Sequence, residues 1–137
     1  MNWYVKVISQ YADFDGRARR KEYWMFALFN FLIMMIPYSI FFSALFIYDG
    51  EPLSLLGSIS MGFMGLYGLF VVIPSLAVSI RRLHDTGRSG WNLLWGLVPG
   101  VGGLIVFYFY VSDSESGTNA YGPNPKEEGE DIGLYQD

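Results

Sequence analysis

Three uncharged runs constrain this chain more than any other feature. No Asp, Glu, Lys or Arg falls between Glu22 and Asp49, between Glu51 and Arg81, or between Arg88 and Asp113. Each run can supply the roughly 20 apolar residues that cross a bilayer as a helix. In hydrocarbon every backbone polar group needs a partner, and a helix provides those partners within one segment. The runs therefore predict an all-α integral membrane fold with three transmembrane helices, over about 24–47, 55–80 and 91–111. Composition agrees. Charged residues make up 16% of the 137 positions and hydrophobic ones 52%, whereas a soluble domain carries about 25% charge. Cysteine is absent, so disulfides and thiolate metal sites are excluded.

The flanking segments are read by periodicity. Trp3, Val7, Tyr11 and Phe14 recur at helical spacing, with Lys6, Ser9, Gln10 and Asp13 mostly elsewhere. This predicts an N-terminal amphipathic interfacial helix in the headgroup plane, ended by Asp15-Gly16. The basic cluster after it is followed by an apolar run too long for a signal peptide, with no small-x-small cleavage site, so the first span reads as a retained anchor. Pro99-Gly100 interrupts the third run. One kinked span is the reading adopted; the alternative is a re-entrant hairpin, because each half is too short to cross alone. Small residues at Ser54, Ser58, Gly62, Gly65 and Gly68, and at Gly96 and Gly100, allow close helix approach. They suggest a homo-oligomer or tight internal packing. Residues 126–137 form an acidic tail expected to be disordered.

Orientation follows from the basic residues. Of nine Lys and Arg, five lie in 1–23, three in 81–90, and one, Lys126, in the tail. With three spans, eight sit on one side and one on the other. The positive-inside rule then predicts a cytoplasmic N-terminus and a periplasmic or extracellular C-terminus.

Three stretches carry a family resemblance. They are Phe14-Asp15-Gly16-Arg17-Ala18-Arg19-Arg20-Lys21-Glu22-Tyr23-Trp24, Arg81-Arg82-Leu83-His84-Asp85-Thr86-Gly87-Arg88-Ser89-Gly90-Trp91, and Asn119-Ala120-Tyr121-Gly122-Pro123-Asn124-Pro125. In order, spacing and layout the chain resembles the DUF805 family of small bacterial inner-membrane proteins. The resemblance implies a membrane domain over 1–125 and a location in the bacterial inner (plasma) membrane. It implies no activity and no catalytic residues.

The candidate site residues are Arg17, Arg19, Arg20, Lys21, Arg81, Arg82, His84 and Arg88, all on the expected cytoplasmic face. Arginine's planar fork suits phosphate oxygens, and each basic residue near an anionic surface contributes about 1 kcal/mol. They are read as sites for anionic lipid headgroups or an acidic partner. The plainer reading is topogenic: the same side chains snorkel to the interface and fix register. Within 81–91, Arg81 and Asp85 are spaced to pair, Gly87 is a helix stop, and Ser89 is a cap for the next segment.

His84 beside Asp85 invites an acid/base or metal reading. Adjacent side chains on a helix diverge. A metal would need several more ligands than Asp13, Asp15, Glu22 and Asp85 readily supply. No nucleophile–base pair, phosphate loop or paired carboxylates accompany the histidine. The chain is therefore expected to be no enzyme, to need no cofactor or metal, and to bind membrane lipids rather than nucleic acid. The alternative is an oligomeric pore or transporter subunit. Ionisable groups inside spans usually mark a transport path, and these runs contain none.

Overall fold

The computed structural model describes residues 3–47 and 55–127. All its regular elements are helical: α1 (Trp3–Ser9), α2 (Arg20–Ile47), α3 (Leu55–Asp85), a 3₁₀ helix (Gly90–Leu97) and α4 (Gly102–Val111). The turn at 48–54 and the tail beyond 127 lie outside the described residues, so the expected disorder of the tail is not addressed.

α2 and α3 are the long apolar helices the first two runs predict, and both are long enough to cross a bilayer. They pack side by side. Much of their outward surface is apolar and bare, with Phe46 86% and Leu66 74% exposed, as expected of faces solvated by lipid. Pro37 and Pro74 lie inside these helices and are buried.

The third run departs from expectation. A continuous span over 91–111 does not form. Gly100 takes φ +84°, and the segment splits into the 3₁₀ helix and α4, which pack on each other. The two pieces fold back: Gly96 lies against Val106, and a Cβ on Gly102 would overlap the Trp95 carbonyl oxygen. Both ends of the run return to one end of α3. A Cβ on Gly90 would stand 2.9 Å from Ile80 Cγ2, and Arg82 Nε donates to the Tyr110 carbonyl at 3.2 Å. Residues 113–122 continue at that same end. Their expected separation from 81–90 does not hold, because Glu115 N–H donates to Asp85 O at 2.8 Å. Pro37 and Pro74 show that proline alone does not end a helix here; at 99–100 the proline is followed by Gly100, which accepts the left-handed turn.

α1 is helical as expected but shorter: it ends at Ser9, so Tyr11 and Phe14 lie beyond it, and its apolar face is covered by protein. Val7 is fully buried in a cluster with Ala18, Phe26 and Val78. The Tyr4 ring stacks on Phe26 at 5.4 Å, and its hydroxyl lies 3.1 Å from that of Tyr67, which donates to Asn30 Oδ1 at 2.6 Å. Packing on α2 and α3 thus accounts for this face without a headgroup layer.

Candidate functional site

The charged groups gather where α3 ends, and they arrive there for local reasons. α3 stops at Asp85, and Gly87 follows at φ +71°, a conformation that glycine adopts without a Cβ clash. Its N–H bonds the His84 carbonyl at 3.0 Å. Gly16, at φ +78°, turns the chain out of the α1 segment, and Ala18 N–H docks on Arg81 O at 3.0 Å. Ser89 caps the 3₁₀ helix, its side chain accepting from the Trp91 amide. The expected helix stop and cap are both in place.

Asp85 is the hub. Its side chain is fully buried and takes Arg17 Nε at 3.0 Å, Arg82 Nη1, and the Ser114 hydroxyl at 2.6 Å. Arg17 spreads the rest of its fork over backbone carbonyls: Nη1 donates to Gly117 at 2.8 Å and Gly122 at 3.2 Å, and Nη2 to Glu115 at 2.5 Å. Arg82 also holds the Ser112 carbonyl. One carboxylate and two guanidiniums therefore lock the loop after α1, the end of α3 and the segment after α4 together. Buried charges persist when paired and fully hydrogen-bonded, and this set is close to that condition.

A second buried carboxylate serves Arg81. Glu22 takes Arg81 Nη1 at 3.3 Å and Lys6 Nζ at 2.6 Å, and Gln10 Oε1 also accepts from Arg81 Nη1. The spacing-based pairing of Arg81 with Asp85 is thus replaced by Arg81 with Glu22 and Arg82 with Asp85. An α-helix presents i+3 and i+4 alike, and the partner from α2 decides which arginine turns which way. His84 stacks flat on Tyr121 at 3.8 Å. Its Nδ1 lies 3.2 Å from Gly16 O, while its backbone carbonyl accepts from Asn119 Nδ2 at 2.9 Å.

Arg17, Ala18 and Glu22 come from the first recognised stretch, Arg81 to Asp85 from the second, and Asn119, Tyr121 and Gly122 from the third. All three converge on one corner. The family model described as protein of unknown function (DUF805) matches residues 11–123, a span that holds the first two stretches in full and the third as far as Pro123. The chain belongs to the DUF805 family. It is 43% identical to inner membrane protein YhaH of Escherichia coli K12 over 130 residues, covering 92% of this chain and 98% of YhaH. It is 42% identical to inner membrane protein YhaI of the same strain over 128 residues, 92% of this chain and 97% of YhaI. Uncharacterized protein YiiR is 29% identical over 101 residues, 65% of this chain and 60% of YiiR. No solved structure matches the chain. The DUF805 membership, the inner-membrane relatives and the two long apolar helices together make this an all-helical membrane protein.

The eight predicted basic-face residues divide sharply. Arg17, Arg81, Arg82 and His84 are buried, and the three arginines are committed to carboxylates and carbonyls. Snorkelling does not describe them. Arg88 is half-buried, with its guanidinium 4.3 Å from the Phe109 ring centroid. Arg19, Arg20 and Lys21 remain. Arg20 and Lys21 are exposed, Arg19 is half-buried, and none forms an ion pair among the described residues. With Trp24, Met25 and Lys126 they line an open groove of about 430 Å³. Sequence reasoning missed Lys126 in this groove because it assigned the tail to the opposite side. It also missed Asp85, Glu22, Asn119 and Tyr121 as organising residues; their place in the recognised stretches was the available signal. Lys126 Nζ pairs with exposed Asp113, and that contact holds the Asp113 carboxyl below the usual carboxylate range.

Proposed function

We propose that this protein is a non-catalytic membrane module that binds anionic lipid headgroups through Arg19, Arg20 and Lys21. The observation that carries the reading is the division of the cations. Buried carboxylates consume Arg17, Arg81 and Arg82, while the three neighbours at the start of α2 stay free around one groove. Trp24 and Met25 add an apolar wall beside them, suited to the glycerol and upper acyl region. Tryptophan favours that depth.

The topology that goes with this reading is two crossings, α2 and α3, with the 3₁₀ helix and α4 as a re-entrant hairpin. Each hairpin arm is too short to cross. All nine Lys and Arg then lie on one side, and the turn at 48–54 holds none. The positive-inside rule places that side, with both termini, in the cytoplasm.

The test compares lipids retained through native purification and measured by mass spectrometry. Replacing Arg19, Arg20 and Lys21 by Ala should weaken binding of an anionic phosphatidylglycerol probe roughly 100-fold, at about 1 kcal/mol for each residue. A neutral lipid should be unaffected. Unchanged phosphatidylglycerol retention overturns the proposal.

The oligomeric reading keeps one specific support. A Cβ at Gly62, Gly65 or Gly68 would meet no atom within 4 Å. That glycine face of α3 is therefore unused inside the protomer and is open to a second copy. A pore gains no such support.

A further inference from the structure

We infer that a second site, on the opposite electrostatic principle, takes the ammonium end of a zwitterionic phospholipid. It is an open cavity of about 420 Å³ between the turn after α1, the end of α3 and the start of the 3₁₀ helix. Phe14, Asp15, Ser89, Trp91, Leu94 and Tyr121 are the lining residues that matter. The lining includes no Lys or Arg; its one imidazole, His84, is stacked on Tyr121 beside Gly16 O and burial favours its neutral form, and its one carboxylate, Asp15, has no ion pair among the described residues. Around it stand aromatic rings. Phe14 is 39% and Trp91 79% exposed, while Tyr121 is held in place by its stack on His84.

A carboxylate set among aromatic faces is the chemistry that recognises an organic cation. The ring quadrupoles attract the positive charge, and the carboxylate supplies the hydrogen-bond acceptor and counter-charge. The nearest arginines cannot compete for that role, because Arg17 is turned to Asp85 and Arg88 to Phe109. Ser89 and Gly90, at the start of the 3₁₀ helix, stand on the same wall. They offer a hydroxyl and an amide to a phosphodiester oxygen. Ile80 and Leu94 add apolar lining, and Ile80 is the last residue of the uncharged run of α3. The lining thus offers a counter-charge and rings for an ammonium, donors for a phosphate and apolar side chains for an acyl chain. That combination, and the place of Ile80 at the end of the uncharged run of α3, point to a lipid rather than a soluble amine.

The experiment uses the full chain in detergent, titrated with phosphatidylethanolamine, phosphatidylcholine or phosphatidylglycerol and read by native mass spectrometry. Both ammonium lipids should be retained above phosphatidylglycerol in a variant that already carries the Arg19, Arg20 and Lys21 replacements. That background silences the basic groove, so failure here and failure of the proposed function are separable. Asp15→Asn should cut phosphatidylethanolamine retention about fivefold, the scale of a partly exposed charge pair. Asp15→Glu should restore most of it, and Trp91→Ala should weaken both ammonium lipids. Equal retention of all three lipids, or retention indifferent to Asp15→Asn, overturns the inference. Displacement by acyl-free glycerophosphoethanolamine at the lipid's own concentration overturns the assignment to a lipid.

Discussion

Removing the Asp85 carboxylate tests whether the corner is held by charge. In Asp85→Ala, Arg17 and Arg82 lose their shared counter-ion while their side chains stay 1% and 0% exposed. An uncompensated buried charge costs about 3–5 kcal/mol. The arginines keep their bonds to the carbonyls of Tyr110, Ser112, Glu115, Gly117 and Gly122, so the lower end of that range is expected. This loss falls on opening of the corner, while α2 and α3 stay joined by Phe26 and Val78 in one buried cluster and by Tyr67 on Asn30. At 1.4 kcal/mol per decade, about 3 kcal/mol raises the open population roughly 100-fold. Hydrogen exchange of the protein in lipid nanodiscs reads this directly, because the Glu115 amide is bonded to Asp85 O. Peptides covering 112–122 should exchange about 100-fold faster, while peptides covering 60–75 stay unchanged. Asp85→Asn should behave much like Asp85→Ala, since it also leaves both guanidiniums without counter-charge. Wild-type protection in either variant would refute the charge argument, and protection in Asp85→Asn alone would make hydrogen bonding the glue.

Four further outcomes follow from the same geometry. A topology reporter fused after Glu127 should read cytoplasmic, and one inserted at 49–51 extracytoplasmic; opposite sides for residues 20 and 127 would restore the third span. Gly102→Ala should open the hairpin, because its Cβ overlaps the Trp95 carbonyl, and thermal melting should show a loss of about 1–3 kcal/mol, the usual overpacking cost. His84→Phe keeps the stack on Tyr121 and should cost no more than about 1 kcal/mol; a folded, inactive His84→Phe protein in a deletion-rescue assay would instead assign chemistry to His84. Gly62→Leu fills the open face of α3 and should dissociate any oligomer without unfolding the protomer, as read by native mass spectrometry.

The parts of the fold legible in the sequence are those set by local composition. Uncharged runs located α2 and α3, and Ser89 and Gly87 marked the cap and the stop, whereas the first helix ends at Ser9, before the break expected at Asp15-Gly16. The interruption at Pro99-Gly100 was visible too, but its consequence depended on what each end of the run would meet. That was tertiary information: the Arg82 fork holding the carbonyls of Tyr110 and Ser112. The basic face shows the same limit. Arg17 and Arg19 sit two residues apart in one cluster, and nothing local says that one is buried on Asp85, 68 positions away, while the other lines an open groove. Arginines that look equivalent along the chain are separated by the few carboxylates able to follow them into the interior.

Two independent arguments support the proposed two-crossing topology. Segregation of charge is sequence-level and needs no fold. With two crossings the basic residues divide nine to none, whereas three crossings leave Lys126 on the wrong side. Buried-charge energetics is structural and uses no topology rule. Carrying residues 112–122 to the far side of a bilayer would strip Arg17 of three carbonyl acceptors and Asp85 of the Ser114 hydroxyl. It would also strip Arg82 of the Ser112 carbonyl. Each lost charge-assisted bond at a buried group costs about 1.5–3 kcal/mol. Those contacts are made by Arg17, Arg82 and Asp85 of the first two stretches, so the hairpin is coupled to residues that carry the DUF805 resemblance. A rearrangement that made 91–111 a true span would have to dismantle that corner. The reporter fused after Glu127 and hydrogen exchange at Glu115 should therefore move together: any variant that sends the tail across the membrane should also lose protection at the Glu115 amide, which donates to Asp85 O.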